Sequence, residues 1–271
     1  MSTPASDLDA AWLLHQRPYR ETSALAWFLT LDHGRVDLVV RGVRSRQSRY
    51  RALLQPFTPL HLSWRGRGQL TNLHLLEASG SPLWFHGEPL VCALYANELL
   101  SRLLPADLPC PAIFREYSLL LHLLTETEQR EPALRRLELA LLAFLDQDLP
   151  QTDRDGQPLR PEIFYSWVHE QGWQPVHQEA SASTPLVLDG ASLLAILKDD
   201  WRAPATRLAA KKWTRWRLQP LLGSRPLQSR ALFYQLASSA GRATHQTEQT
   251  QARQTPAEHK PWPAAALGSS Q

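Results

Sequence analysis

The sequence predicts an α+β fold, with a small five-stranded antiparallel barrel at the N-terminus and a mainly α-helical domain after it. Up to about residue 80, short apolar runs with partial alternation are separated by turn signals, which is typical of a small barrel. After Pro82 the apolar residues recur at helical spacing instead. We therefore expect one domain at 1–80, a second at 81–240, and a tail at 241–271.

Five short runs supply the predicted barrel strands. The turn signals between them include Arg17-Pro18, Asp32-His33-Gly34 and the glycine-alternating stretch from Arg65 to Gly68. The predicted strands are AWLLHQ (11–16), ETSALAWFLT (21–30), GRVDLVVRG (34–42), FTPLHLSW (57–64) and QLTNLHLLEA (69–78).

The second domain is predicted to be a helical bundle. Its polar stretch at 148–187, which holds several prolines, is predicted to be an irregular or hairpin-containing excursion. The tail has almost no apolar content apart from Trp262 and is expected to be disordered. The predicted helices are 88–105, 111–126, 131–147, about 190–198, 204–222 and 229–237.

Composition excludes several protein classes. A chain of 271 residues with 43% hydrophobic residues can bury a core, and its apolar runs fall short of the roughly 20 residues of a membrane helix. The N-terminus lacks the basic and apolar regions of a secretory signal, so we expect a cytoplasmic protein that does not bind membranes. Cys92 and Cys110 do not form a zinc pattern, so no metal or other cofactor is expected.

No catalytic motif stands out, and we predict that the protein is not an enzyme. The chain has no nucleophile elbow, no phosphate loop and no dinucleotide-binding glycine pattern. Four acids near residue 150 lack the full spacing of a calcium loop and are better explained as a solvated loop. A nuclease that uses these acids stays open as an alternative; they are Asp146, Asp148, Asp153 and Asp155.

The distribution of charge along the chain is the feature that indicates a function. Residues 1–80 carry a net charge of +4, residues 81–197 carry −9, and residues 198–230 carry +7. From Gly34 to Gly68 there are eight arginines and one acid, with aromatic residues among them, which is typical of a surface that binds nucleic acid. The predicted phosphate-binding residues are Arg35, Arg41, Arg44, Arg46, Arg49, Arg51, Arg65 and Arg67, with Lys211, Lys212 and Arg215 as a second segment.

Several ordered motifs resemble the RecO family of bacterial DNA repair and recombination mediators. They are RPYRETS, GRVDLVVRGVR, LQPFTPL, NELLSRLL, EPALRRLELALLAFL and LQSRALF, spread over roughly residues 10–238. The resemblance implies that the N-terminal barrel is an oligonucleotide/oligosaccharide-binding (OB) fold. Some family members hold zinc through four cysteines, but the 148–187 excursion of this chain contains none.

The resemblance also implies the activity and the partners. Family members bind single- and double-stranded DNA, anneal complementary strands and, with RecR, help RecA to load onto DNA coated by single-strand-binding protein. A nucleoid-associated cytoplasmic location follows from this activity. An RNA-binding protein with the same barrel is the alternative that the sequence leaves open.

One candidate peptide site lies in the acidic middle of the chain. The resemblance implies that the acidic, phenylalanine-tipped tail of single-strand-binding protein binds this family. We expect Arg135, and less strongly Arg136, to pair with that tail, while Leu137 and Leu141 line or support the pocket. The alternative is that both arginines pair with local acids such as Glu131 or Glu138.

Overall fold

The computed structural model of the protein describes residues 8–66, 71–176 and 186–236. Its N-terminal part is a closed five-stranded barrel with strand order β1-β2-β3-β5-β4, as predicted. The predicted tail lies outside the described residues, and so does Arg67. The strands are β1 (Asp9–Tyr19), β2 (Ser23–Thr30), β3 (Gly34–Val40), β4 (Pro59–Arg65) and β5 (Thr71–Ala78).

The barrel differs from the prediction in one strand pairing. Four neighbouring pairs are antiparallel, but β3 and β5 run parallel at Leu38↔Thr71 and Val39↔Asn72. A hairpin joins only antiparallel neighbours, whereas β3 reaches β5 through a long loop and β4. The closing pair is therefore free to be parallel.

Strand β1 explains why the alternation of the barrel strands is imperfect. Ala11 and Leu13 point into the barrel core, whereas Trp12 and Leu14 belong to the core of the helical part. Both faces of this stretch are buried, so its sequence is apolar without interruption.

The second part of the chain is mainly helical, as predicted, and adds a small sheet. Strand β6 (Phe164–Val168) pairs with β7 (Gly172–Val176) on one side and with β8 (Val187–Asp189) on the other. The hairpin of the 148–187 stretch is therefore β6–β7. The helices are α1 (Gly87–Leu103), α2 (Pro111–Leu123), α3 (Thr127–Phe144), α4 (Gly190–Leu197) and α5 (Pro204–Leu222), and a further helical segment covers 228–236.

Helix α3 begins four residues before its predicted start. The sequence rule places Pro132 in the first turn, but the helix already begins at Thr127 and Pro132 lies inside it. The missing N–H of Pro132 leaves the carbonyl of Glu128 without its helical donor. Glu128 is exposed, so water can supply that hydrogen bond.

The barrel and the helical part share a buried junction. The Trp12 indole donates a hydrogen bond to the Ser118 hydroxyl of α2 over 2.8 Å. Gly34 has φ +71°, and a Cβ at this position would lie 1.9 Å from the carbonyl oxygen of Leu108. This close approach requires glycine at the start of β3.

Among the described residues, no helix is long and apolar enough to cross a membrane.

Candidate nucleic-acid interface

The arginine-rich segment 41–51, here called the basic loop, is part of the connection between β3 and β4. Successive turns shape it: the amide of Ser45 donates to the carbonyl of Gly42, and that of Ser48 to the carbonyl of Ser45. Val43, inside the loop, and Leu54, just beyond it, are buried in the barrel core. The core thus holds the base of the loop while its charged side chains face water.

All five arginines of the basic loop are exposed. The partners shown for three of them are neutral: Arg41 donates to the Asn72 amide oxygen, Arg44 to the backbone carbonyl of Arg20, and Arg49 to the Tyr50 hydroxyl. The Arg49 guanidinium also lies 4.6 Å from the centre of the Tyr50 ring. In the described part of the chain, no carboxylate lies within 4.0 Å of any cationic nitrogen of Arg41, Arg44, Arg46, Arg49 or Arg51.

The other barrel arginines differ from one another. Arg65 is exposed at the end of β4. The guanidinium of Arg35, in contrast, donates to the backbone carbonyls of Ser101 and Leu104 and to the Asp37 carboxylate. Its side chain is only 16% exposed. Arg35 therefore joins the barrel to α1 and has no free guanidinium face for phosphate, so we leave it out of the proposed DNA surface.

The second basic segment lines a groove of about 1000 Å³ between α3, α5 and the 228–236 segment. We call it the cationic groove. Its two acids are both paired, Glu88 with Arg130 and Glu131 with Lys211 and Arg207. Its apolar surface comes from Leu134, Leu186, Trp216, Phe233 and Tyr234, and its cations are Arg130, Arg135, Lys211, Lys212, Arg215 and Arg230.

Arg135 lies at the floor of this groove and is 6% exposed. One guanidinium nitrogen lies 2.9 Å from the buried Glu138 carboxylate, and another donates to the Thr214 hydroxyl. Glu138 also accepts hydrogen bonds from the Tyr95 and Thr214 hydroxyls. The Nε atom of Arg135 is buried without a hydrogen-bond partner. Arg135 thus pairs with a local acid and still keeps one unused donor.

The structure does not bring the four predicted peptide-binding residues together. Leu137 and Leu141 are fully buried in the helical core, so they can support the groove but do not line it. Arg136 points to another face of α3, where it pairs with Asp199 over 2.8 Å. Burial alone would raise the pKa of Asp199, but hydrogen bonds from Arg136 and Trp201 outweigh it and lower that pKa.

Trp213 of α5 does not offer a stacking surface for bases. Trp213 is fully buried and packs against Trp167 and Trp173 of the small sheet. Arg217 lies over this cluster, 5.3 Å from the centre of the Trp213 ring, and desolvation lowers its pKa. Trp213 is therefore a core residue of the helical part.

Sequence reasoning missed two walls of the groove. Arg130 lies near the start of α3, and Arg230, Phe233 and Tyr234 lie on the 228–236 segment, far away along the chain. Tyr234 is 76% exposed, which is a high value for so large an aromatic side chain. In SRALFY, Phe233 and Tyr234 follow Arg230 by three and four residues, and this helical spacing was the signal that could have pointed to this wall.

Of the four acids near residue 150, Asp153 serves local structure. The Asp153 carboxylate accepts hydrogen bonds from the backbone amides of Asp155 and Gln157 and so closes a turn. No group of three or more potential metal ligands occurs in the part of the chain that the structure describes.

Comparisons with known proteins agree with this architecture. The family model for "Recombination protein O N terminal" matches residues 7–82, and that for "Recombination protein O C terminal" matches residues 86–231. A DNA repair protein RecO of Pseudomonas aeruginosa (strain LESB58) is 44% identical over 83% of this chain and 93% of its own. Proteins of the same name from Methylococcus capsulatus and Nitrosococcus oceani are each 41% identical, over 83% and 84% of this chain and 92% and 93% of theirs.

Proposed function

We propose a function from the premise that the chain belongs to the RecO family of recombination proteins, whose two domain models match most of its length. Membership supports a role in DNA repair and recombination. The finer proposal is a non-enzymatic mediator that binds single- and double-stranded DNA and anneals complementary strands. With RecR, it helps RecA to load onto DNA coated by single-strand-binding protein.

The observation that carries this proposal is the basic loop. Five exposed arginines stand on a rigid barrel, and none has a carboxylate partner among the described residues. Guanidinium groups bind phosphate with paired hydrogen bonds. Such contacts hold a strand through its backbone, without reading its sequence.

The cationic groove supplies a second proposed surface, which two ligands share. An acidic peptide with an apolar tip suits it, because cations and apolar side chains line the same groove. We place the tail of single-strand-binding protein here, with Arg135 at the floor and Lys212 and Arg215 at the exposed edge. The same cations also suit phosphate, so the tail and a second DNA strand exclude each other from the groove.

The test is a strand-annealing assay with complementary oligonucleotides, either bare or coated by the cognate single-strand-binding protein. The protein should accelerate annealing on both substrates. Replacing Lys211, Lys212 and Arg215 by alanine should impair annealing more than single-strand binding. It should also remove most of the acceleration on coated strands.

A matched variant controls for the loss of charge. Arg154, Arg160 and Lys198 are exposed cations of the same domain that lie outside the groove. Replacing these three by alanine should leave both reactions near the wild-type rate. Equal loss in the two variants would refute a dedicated groove, and no acceleration by the wild-type protein would refute the mediator function. Stronger competition by RNA than by DNA of equal length would favour an RNA-binding protein.

A further inference from the structure

A separate cavity of about 560 Å³ opens on the barrel, between the β1–β2 hairpin and the basic loop. It shares no residue with the cationic groove. Its volume falls within the roughly 300–1,000 Å³ of small-molecule pockets.

The rim of this cavity is strongly basic. Arg17 from β1 lines it together with Arg44 and Arg51 from the basic loop, and no acid lines it. All three side chains are exposed. The Arg17 guanidinium lies over the Trp27 ring at 5.5 Å, which orients it without using its charge on a carboxylate. Three arginines among the lining residues, with no acid beside them, favour a ligand that carries phosphate.

The floor of the cavity is apolar. Ala24, Val43 and Leu54 are buried at 4%, 5% and 1% exposure and belong to the barrel core. Gln55 adds an amide at the edge, which can donate to and accept from a polar base edge. A cavity with a cationic rim, an apolar floor and an amide at its edge matches the parts of a nucleotide, namely phosphate, ring and ring substituents.

We propose that this cavity receives one unstacked nucleotide of a bound single strand, with its base against the apolar floor and its phosphate among the three arginines. The proposal rests on the proposed DNA-binding function and adds a base-dependent subsite to it. A strand is the favoured source because Arg46 and Arg49 continue the same loop outside the cavity, where the neighbouring phosphates would lie.

The test compares a labelled oligothymidylate with an abasic strand of equal length, which keeps the phosphates and lacks the bases. The wild-type protein should bind the thymidylate strand roughly tenfold more tightly, as expected when a base is buried or stacked. Arg17→Ala should reduce this ratio by at least about threefold, because the phosphate reaches Arg17 only when its base is seated in the cavity. Arg20→Ala is the matched control, because Arg20 is an exposed arginine of the same hairpin that does not line the cavity.

A second pair of variants makes the same comparison within the loop connection. Gln55→Glu places a negative charge at the edge of the cavity, and Gln47→Glu places it on the exposed surface of the basic loop. Both should weaken binding of both strands, but only Gln55→Glu should reduce the thymidylate-to-abasic ratio.

The outcomes separate this inference from the function on which it rests. If the wild-type protein binds neither strand, the DNA-binding function falls and the subsite falls with it. If the wild-type protein binds both strands equally, DNA binding stands and the base subsite is refuted. The same conclusion follows if Arg17→Ala and Gln55→Glu change the thymidylate-to-abasic ratio no more than their controls do. A further experiment tests thymidine monophosphate as a free ligand. If it binds in the cavity in an Arg17-dependent way and does not weaken the binding of the strand, a free nucleotide is the ligand and the proposal is overturned.

Discussion

At the scale of single residues, the floor of the cationic groove depends on a buried charge pair. Glu138 is fully buried and is held by Arg135 and by the hydroxyls of Tyr95 and Thr214. Removing one partner of a buried pair leaves the other charge uncompensated, which typically costs about 3–5 kcal/mol.

We therefore expect Glu138→Gln to lower the free energy of unfolding by roughly that amount, measured by urea denaturation. Glu128→Gln, an exposed change on the same helix, should cost less than about 1 kcal/mol. Equal stability of the two variants would contradict the buried pair. Arg135→Ala would break the same buried pair and destabilise the fold as well. Lys212 and Arg215 are therefore the better positions for testing peptide binding.

Arg35 offers a test of structure against sequence pattern. Its guanidinium donates to the Ser101 and Leu104 carbonyls over 3.0 and 2.6 Å. Arg35→Ala should cost about 1.5–3 kcal/mol of stability, as for hydrogen bonds to charged groups, and should leave the salt dependence of DNA binding unchanged. Arg41→Ala should instead leave the stability nearly unchanged and lower the slope of the salt dependence of DNA binding. Unfolding curves and salt titrations of both variants would show this difference. A lower salt slope for Arg35→Ala would return that residue to the DNA surface.

Residue types alone could not separate these roles. Arg35 and Arg41 are the same residue type, and only the hydrogen bonds of Arg35 to the C-terminal end of α1 distinguish them. Leu137 and Leu141 were identified from their helical spacing, which marks a buried face equally well whether it lines a pocket or a core. The structure distinguishes the two cases, because Leu137 and Leu141 belong to the buried core of the helical part.

At the scale of elements, one carboxylate holds the last described helical segment in place. Glu98 of α1 accepts hydrogen bonds from the backbone amides of Gln228 and Ser229 and from the Ser229 hydroxyl. Burial alone would raise the pKa of Glu98, but these hydrogen bonds outweigh it and hold the pKa below its ordinary value of 4.5. A lowered pKa means that the ionised form stabilises the folded state.

This contribution is present above pH 4.5 and is lost as the pH falls through the lower pKa of the folded state. Glu98→Gln should remove it at neutral pH, and protection of the amides of 228–236 from hydrogen exchange should fall about tenfold, in line with charge-assisted bonds. In the wild type the same protection should fall only under acid conditions. Unchanged protection in Glu98→Gln at neutral pH would show that the segment is held by other contacts; Glu126→Gln, an exposed change, is the control.

The elements themselves were the most predictable part of the fold. The change from short alternating runs to helical spacing gave five strands and the main helices, because each element buries one face with its own period. The parallel pairing of β3 with β5 could not be predicted in this way, since it depends on how the barrel closes. The sequence rule predicts that α3 begins at residue 131 and not at Thr127, because it assigns Pro132 to the first turn, whereas Pro132 lies inside the helix.

At the scale of the whole molecule, residues of the barrel take part in the core of the helical part and so join the two. Phe57 and Phe85 stack edge to face at 5.3 Å, and Trp12 and Leu14 complete the contact from β1. The basic loop and the cationic groove are therefore two surfaces of one body, with the DNA strand proposed for the first and the acidic tail for the second.

This arrangement predicts how the two ligands interact. A saturating concentration of the tail peptide should suppress annealing of bare strands at least about tenfold, because it occupies the groove proposed for the second strand. Single-strand binding should change by less than about threefold, because the basic loop stays free. The checks are a fluorescence annealing assay and an anisotropy titration, each with a peptide of scrambled sequence as the control. Equal effects on both reactions would mean that the loop and the groove act as one site.

The central claim is that the basic loop holds the phosphate backbone, and the salt dependence of single-strand binding tests it most directly. The logarithm of affinity should fall linearly with the logarithm of salt concentration, with a slope of about 0.7 for each phosphate contact. Replacing Arg44, Arg46 and Arg49 together by alanine should weaken binding to all sequences and reduce that slope by about 2. Wild-type affinity and slope in this variant would contradict the account.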